Sequence, residues 1–249
     1  MKIHFLVLNM KKNNDRWLVI ESALNNLLVS YERIDAIDGF KLDNNREVSS
    51  ILETREELKN KTFYCKLFNQ EWIYDGLTNN SFPGLNLFGH QGAKGLILSN
   101  IKALKLCSKI NNNYINAIND DFQNLQLLNN NINKFEWFCI LEDDAIIDEE
   151  IYRNIINFLN ENKNENVDII LLDQRIGCGS AGILYNSRII NQLIIDLHPL
   201  SEFSITMEEK YNYATLWDWK IWQYILNNNI NYKIFPCIDS GLFGSTISI

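Results

Sequence analysis

The sequence predicts an α/β chain with a mixed, mostly parallel sheet flanked by helices, and three observations predict it. Residues 3–37 read as strand, amphipathic helix and strand, the unit that builds parallel sheets. Two later apolar runs, 135–141 and 167–172, are continuous rather than alternating, as expected of strands buried on both faces. Helix-like segments separate these runs.

Ile3 to Leu8 is the first strand, and Asn9 to Asn14 is a polar turn. Asp15 is expected to cap the next helix, which carries Trp17, Ile20, Leu24 and Leu27 on one face. Tyr31 to Ile37 is the second strand, closed by Asp38-Gly39. Arg46 to Lys59 reads as a polar helix. Trp72 to Gly76 and Ser81 to Gly84 are aromatic and turn-rich, as binding loops often are. Gly92 to Leu106 is a helix with Leu98, Ile101, Ala103 and Leu104 apolar, and the Asn-rich stretch 111–133 reads as a surface insertion. The strand at 135–141 is followed by a helix to about Asn160 and the strand 167–172. Then come a strand from Ala181 to Tyr185, a helix from Ser187 to Leu197 and a tryptophan-rich helix from Leu216 to Leu226. The last strand, Tyr232 to Phe235, precedes a turn at Pro236. With no repeat and no linker, the 249 residues form one expected domain.

The formal net charge of -8, without a long basic block, argues against nucleic acid as a partner, because that binding needs clustered Lys and Arg on phosphates. The cysteines Cys65, Cys107, Cys139, Cys178 and Cys237 are scattered, odd in number and lack zinc spacing, which fits a reducing compartment. The first apolar run is too short for a signal peptide, and no run approaches a membrane span; the expected location is the cytoplasm. His4 sits in a strand and reads as structural, whereas His90 and His198 lie in expected loops without ligand spacing.

The strand at 135–141 delivers Glu142, Asp143 and Asp144 to its carboxyl end, where open α/β sheets place their ligands. Three adjacent carboxylates repel one another unless something cationic binds, and hard divalent metals prefer oxygen ligands. A metal held there can hold a diphosphate, so one reading is a metal-dependent enzyme acting on a nucleotide-activated substrate. The other is an acidic loop that caps the next helix, because Asp148, Glu149 and Glu150 continue the acidity.

Gly177 to Gly182 spells GxGxxG, but it does not open a helix directly after a strand, so it reads as a turn lining the site rather than a dinucleotide fingerprint. Trp217-Asp218-Trp219 with Trp222 reads either as core tryptophans around a helix amino terminus or as a sugar site. In the second case aromatic faces stack on a pyranose and Asp218 binds hydroxyls or takes a proton.

Several segments in order resemble family 25 glycosyltransferases, the bacterial lipooligosaccharide and collagen β-galactosyltransferases. They are Val7-Leu8-Asn9-Met10 with Asp15-Arg16-Trp17, Tyr31 to Ile34 with Ala36 to Gly39, Gly92 to Asn100, Leu141 to Ala145, Gly182 to Ile189, and Pro236 with Ser245-Thr246-Ile247. The resemblance implies a GT-A-like fold, with a nucleotide-binding half at about 1–145 and an acceptor-side half at about 146–249. It implies inverting hexose transfer from a UDP-sugar, UDP-galactose or UDP-glucose, to a glycan or glycoprotein acceptor, with Mn²⁺ or Mg²⁺. Glu142 and Asp144 take the outer positions of a DxD-like motif; Asp144 is the implied direct metal ligand, and Glu142 would contact metal or ribose. Asn9, Arg16, Asp38, Lys94 and Asp143 match positions near the nucleotide. Asp218 is the candidate base, with Asp239 in reserve. The chain departs from the family at Ala93, Leu96 and Asn100, where the family has Glu, Cys and His.

Those departures motivate a rival reading, a transferase-like module that binds sugar or nucleotide without turnover. A nucleotidyltransferase would carry a Gly-rich, basic loop after the first strand; residues 9–16 contain no Gly, which counts against it.

Overall fold

The computed structural model describes residues 1–38, 62–65, 70–73, 91–120, 135–174, 179–197 and 217–239. The expected mixed α/β architecture is present. Six strands form one sheet in the order β2-β1-β5-β7-β6-β8, and a separate antiparallel pair, β3 (Thr62–Cys65) and β4 (Gln70–Ile73), stands apart. In the main sheet, β1 (Ile3–Asn9) pairs in parallel with both β2 (Ser30–Asp35) and β5 (Trp137–Glu142). The strand β6 (Ile169–Asp173) pairs in parallel with β8 (Tyr232–Ile238). Only β7 (Gly182–Asn186) runs against its neighbours β5 and β6. Five carboxyl ends therefore lie along one edge of the sheet, together with the amino end of β7.

Among the described residues the helices are α1 (Asn14–Asn26), α2 (Gln91–Asp120), α3 (Glu149–Glu161), α4 (Ile190–Leu197) and α5 (Trp217–Asn227). They bury two core layers. Trp17, Ile20 and Leu24 of α1 and Ile155 and Leu159 of α3 pack on one face with Phe5, Cys139 and Leu141. Ile97, Ile101 and Leu104 of α2, Leu193 of α4 and Trp217 and Ile221 of α5 cover the other with Leu6, Phe138 and Tyr185. Continuous burial along β1, β5 and β6 follows from this two-sided cover. Among the described residues, no helix is long and apolar enough to cross a membrane.

Several expectations need correction. Asn13, not Asp15, flanks the start of α1: its N–H donates to the Met10 carbonyl at 2.8 Å, and this turn starts the helix early. Asp15 then lies in the first turn, where the helix dipole still favours it. The Asn-rich stretch is helical to Asp120 rather than an insertion from 111. Ile110, Tyr114, Ala117 and Ile118 keep the helical repeat through it, and Asn costs only ~0.7 kcal/mol per position relative to Ala. Trp72 and Ile73 belong to β4 rather than to a loop. The last strand continues through Pro236. It is an edge strand, and its register against β6 shifts between Leu171 and Asp173, so the missing N–H is tolerated. The polar helix expected at 46–59, the loop at 81–84, His90 and His198 lie outside the described residues.

Candidate active site at the carboxyl edge of the sheet

The acidic turn begins inside the sheet. Glu142 is the last residue of β5, and its N–H donates to the Ala181 carbonyl at 3.1 Å. Asp143 and Asp144 form the turn, closed by the Ala145 N–H on the Glu142 carbonyl at 3.1 Å. Two groups from the start of the chain converge on it. Asn9, fully buried at the end of β1, donates from Nδ2 to Asp143 Oδ2 at 2.6 Å and to the Asn13 carbonyl at 3.0 Å. Arg16, buried in the first turn of α1, places Nη1 3.2 Å from Asp143 Oδ1 and 4.0 Å from Asp144 Oδ2. Both Asp143 oxygens are thus engaged by the protein itself, and a buried guanidinium offsets the acidic turn from within.

Glu142 is held from the other side. The Ser180 hydroxyl donates to its Oε1. Both expectations for the acidic run apply, to different residues. Asp148 is the capping residue: its Oδ1 accepts the Ile151 N–H at 2.8 Å at the start of α3.

Asp38 is joined to Lys12 at 3.8 Å, in the segment leaving β2. The Ile37 N–H in that segment donates to the buried Ser99 hydroxyl at 2.8 Å, so α2 anchors the exit of β2. Lys94 lies in the first turn of α2. Asn100, where the resembled family has His, is buried, and its Nδ2 donates to the Leu96 carbonyl of its own helix at 3.0 Å. The backbone of Asp239 reaches the acidic turn: its carbonyl accepts the Ile146 N–H at 2.9 Å, and Asp239 itself is exposed. Asp218 is buried in the first turn of α5, on the face of the sheet opposite α1.

The sugar platform expected of the tryptophans fails for two of them. Trp217 is fully buried beside Tyr185, and Trp222 is buried edge-on to Tyr232 at 5.4 Å, so neither offers a free face to a pyranose. They are core residues because α5 packs both inward. Gly182 opens a strand, not a helix, which removes the dinucleotide reading of GxGxxG. Cys107, Cys139 and Cys237 are free thiols. Burial raises all three, Cys237 to about 12, so none is a ready nucleophile.

The residues fit a divalent cation only in a particular sense. Among the described residues, no group of three or more His, Cys, Asp or Glu forms a cage. Glu142 and Asp144 flank the locked Asp143 and supply hard oxygen donors. One or two carboxylates completed by phosphate oxygens and water is how Mg²⁺-type sites on nucleotides are built. A cation here would arrive with a diphosphate.

Two residues of this edge escaped the sequence reading: Asp173 and Ser180. Asp173 had a signal, since it ends the apolar run Ile169 to Leu172 as Glu142 ends its own. Ser180 reads from the sequence only as part of the turn lining the site, because its bond to Glu142 depends on which strand lies beside β5.

No protein-family model matches the chain, and no curated protein matches it. Among solved structures, the chain is similar to the crystal structure of a glycosyltransferase involved in the glycosylation of the major capsid of PBCV-1. The TM-score is 0.44 and the identity 10%, over 98% of this chain and 96% of that chain. A likeness of that degree assigns no residue roles here.

Proposed function

We propose that this chain is a metal-dependent glycosyltransferase that moves a hexose, galactose or glucose, from a UDP-sugar to a glycan or glycoprotein acceptor with inversion. The observation that carries the reading is the acidic turn at the carboxyl end of β5. Its middle carboxylate is locked by Asn9 and Arg16, while Glu142 and Asp144 stand on either side. The ordered resemblance to family 25 supports the same reading.

In this mechanism Glu142 and Asp144 would hold Mn²⁺ or Mg²⁺ when the donor binds. The chemistry supplied by the cation would be to offset the charge that develops on the leaving diphosphate. Asn9 and Arg16 keep the turn in one conformation, so that little reorganisation remains when donor binds. By the resemblance to family 25, Asp38 and Lys94 are the candidates for further contacts to the nucleotide. A carboxylate takes the proton from the acceptor hydroxyl as it attacks the anomeric carbon, and this single displacement inverts the centre. Asp218 is the first candidate for that base and Asp239 the second. The main-chain link from Asp239 to Ile146, next to the acidic turn, supports keeping Asp239.

Hydrolysis and binding of UDP-, GDP- and CMP-sugars, with Mn²⁺ and with EDTA, test the reading. The expected result is Mn²⁺-dependent turnover of one UDP-hexose, lost by ~100-fold or more in Asp144→Asn. Unchanged turnover and metal dependence in that variant would remove the site assignment.

A second reading, a binding module without turnover, is favoured by the burial of Asn100 and its bond within its own helix. Under it, metal-dependent UDP binding persists with no turnover on any acceptor, and Ala93→Glu with Asn100→His creates turnover from nothing.

A further inference from the structure

The carboxyl end of β6 holds a buried carboxylate at the same edge of the sheet as the acidic turn. Asp173 is only 3% exposed and follows the apolar run Ile169 to Leu172. Burying such a group costs free energy unless it is hydrogen-bonded. Its Oδ2 accepts the Ala181 N–H at 2.8 Å. Gly179 passes so close that a Cβ there would fall on the Asp173 carboxyl group. The segment 179–181 is therefore moulded around Asp173 by one hydrogen bond and one missing side chain.

That segment in turn grips Glu142 twice. The Ala181 carbonyl accepts the Glu142 N–H, and the Ser180 hydroxyl donates to Glu142 Oε1. The connections run from Asp173 through Ala181 and Ser180 to the first carboxylate of the acidic turn. Asp143 is fixed from the α1 side and Glu142 from the β6–β7 side.

We propose that Ser180 and Asp173 are positioning residues that orient the Glu142 carboxylate, so that its second oxygen faces the cation bound with the donor diphosphate. This rests on the transferase reading above. The physical reason is that a hydrogen bond to one oxygen of a ligating carboxylate selects one rotamer and directs the other oxygen. Loss of such a partner weakens metal binding by roughly 10–100-fold.

The test is Mn²⁺ affinity in the presence of saturating UDP, read by electron paramagnetic resonance of free Mn²⁺, in the full chain and in three variants. Ser180→Ala is expected to weaken Mn²⁺ binding by about 10–100-fold. Its UDP affinity in EDTA should stay unchanged, and its melting temperature should hold within about 4 °C. Ser180→Thr, which keeps the hydroxyl, restores most of the affinity. Asp173→Asn keeps an acceptor for the Ala181 N–H and should fall between Ser180→Ala and the unmodified chain. Equal Mn²⁺ affinity in Ser180→Ala and the unmodified chain overturns the positioning role and leaves the transferase reading standing. Absence of UDP-dependent Mn²⁺ binding in the unmodified chain overturns both.

Discussion

The two ends of β1 each bury a polar side chain, and they do so in opposite ways. Near the start, His4 is 4% exposed, with Nδ1 2.8 Å from the Ser30 hydroxyl and its ring against Phe135 and Phe138. Glu32 lies 3.5 Å from Nε2, but it is half-exposed and screened by water, so burial dominates and lowers the His4 pKa to about 4. At the other end, Asn9 sits among charges: Asp143, Asp144 and the buried Arg16. Five residues apart on one strand, the chain keeps one polar group neutral in an apolar setting and assembles a charged network around the other. The first arrangement serves the sheet; the second holds charges where ligands of such sheets bind.

Removing the cation should separate the two ends most sharply. Arg16→Met leaves two nearly buried carboxylates without the guanidinium, and breaking such a pair costs ~3–5 kcal/mol. Thermal unfolding should show a large drop, and millimolar Mn²⁺ should restore part of it if the turn accepts an external cation. A drop that Mn²⁺ leaves untouched would make the network purely structural.

A smaller loss is expected from Asn9→Ala, which deletes the bonds to Asp143 and to the Asn13 carbonyl. Chemical denaturation should register about 1–3 kcal/mol. A neutral result would mean that Arg16 alone holds the turn.

The smallest effect belongs to His4 and shows only as pH falls. Between pH 6.5 and about 4 the unfolded chain takes up a proton on His4 that the folded chain refuses. Its contribution to stability is complete above pH 6.5 and declines as the pH drops toward 4. Urea midpoints at pH 7 and pH 5 should differ, and His4→Gln should flatten that difference. An identical pH dependence in the variant would place the acid sensitivity elsewhere, with the charged end of β1 the next place to look.

The legibility of this chain followed the range of each signal. The strands at β1, β5 and β6 were readable because burial on both faces writes a continuous apolar run. The capping role of Asp148 was readable because a cap acts three residues away. The length of α2 was missed because its Asn content hid a helical repeat, and the passage of β8 through Pro236 because its edge position tolerates the missing N–H. The tryptophans of α5 were ambiguous: an aromatic at a helix start suits a sugar or a core equally, and packing buried Trp217 and Trp222.

By itself, the sequence determined the α/β class, the βαβ opening and the delivery of three carboxylates to the end of a central strand. These depend on periodicity and composition over a few residues. Only the tertiary structure decided what each carboxylate does. Asp143 is locked by Asn9 and Arg16, 134 and 127 residues away, and Glu142 by Ser180, 38 residues away. Charges and hydrogen bonds pair by proximity in space, and proximity across a sheet is set by strand order, which no local pattern encodes.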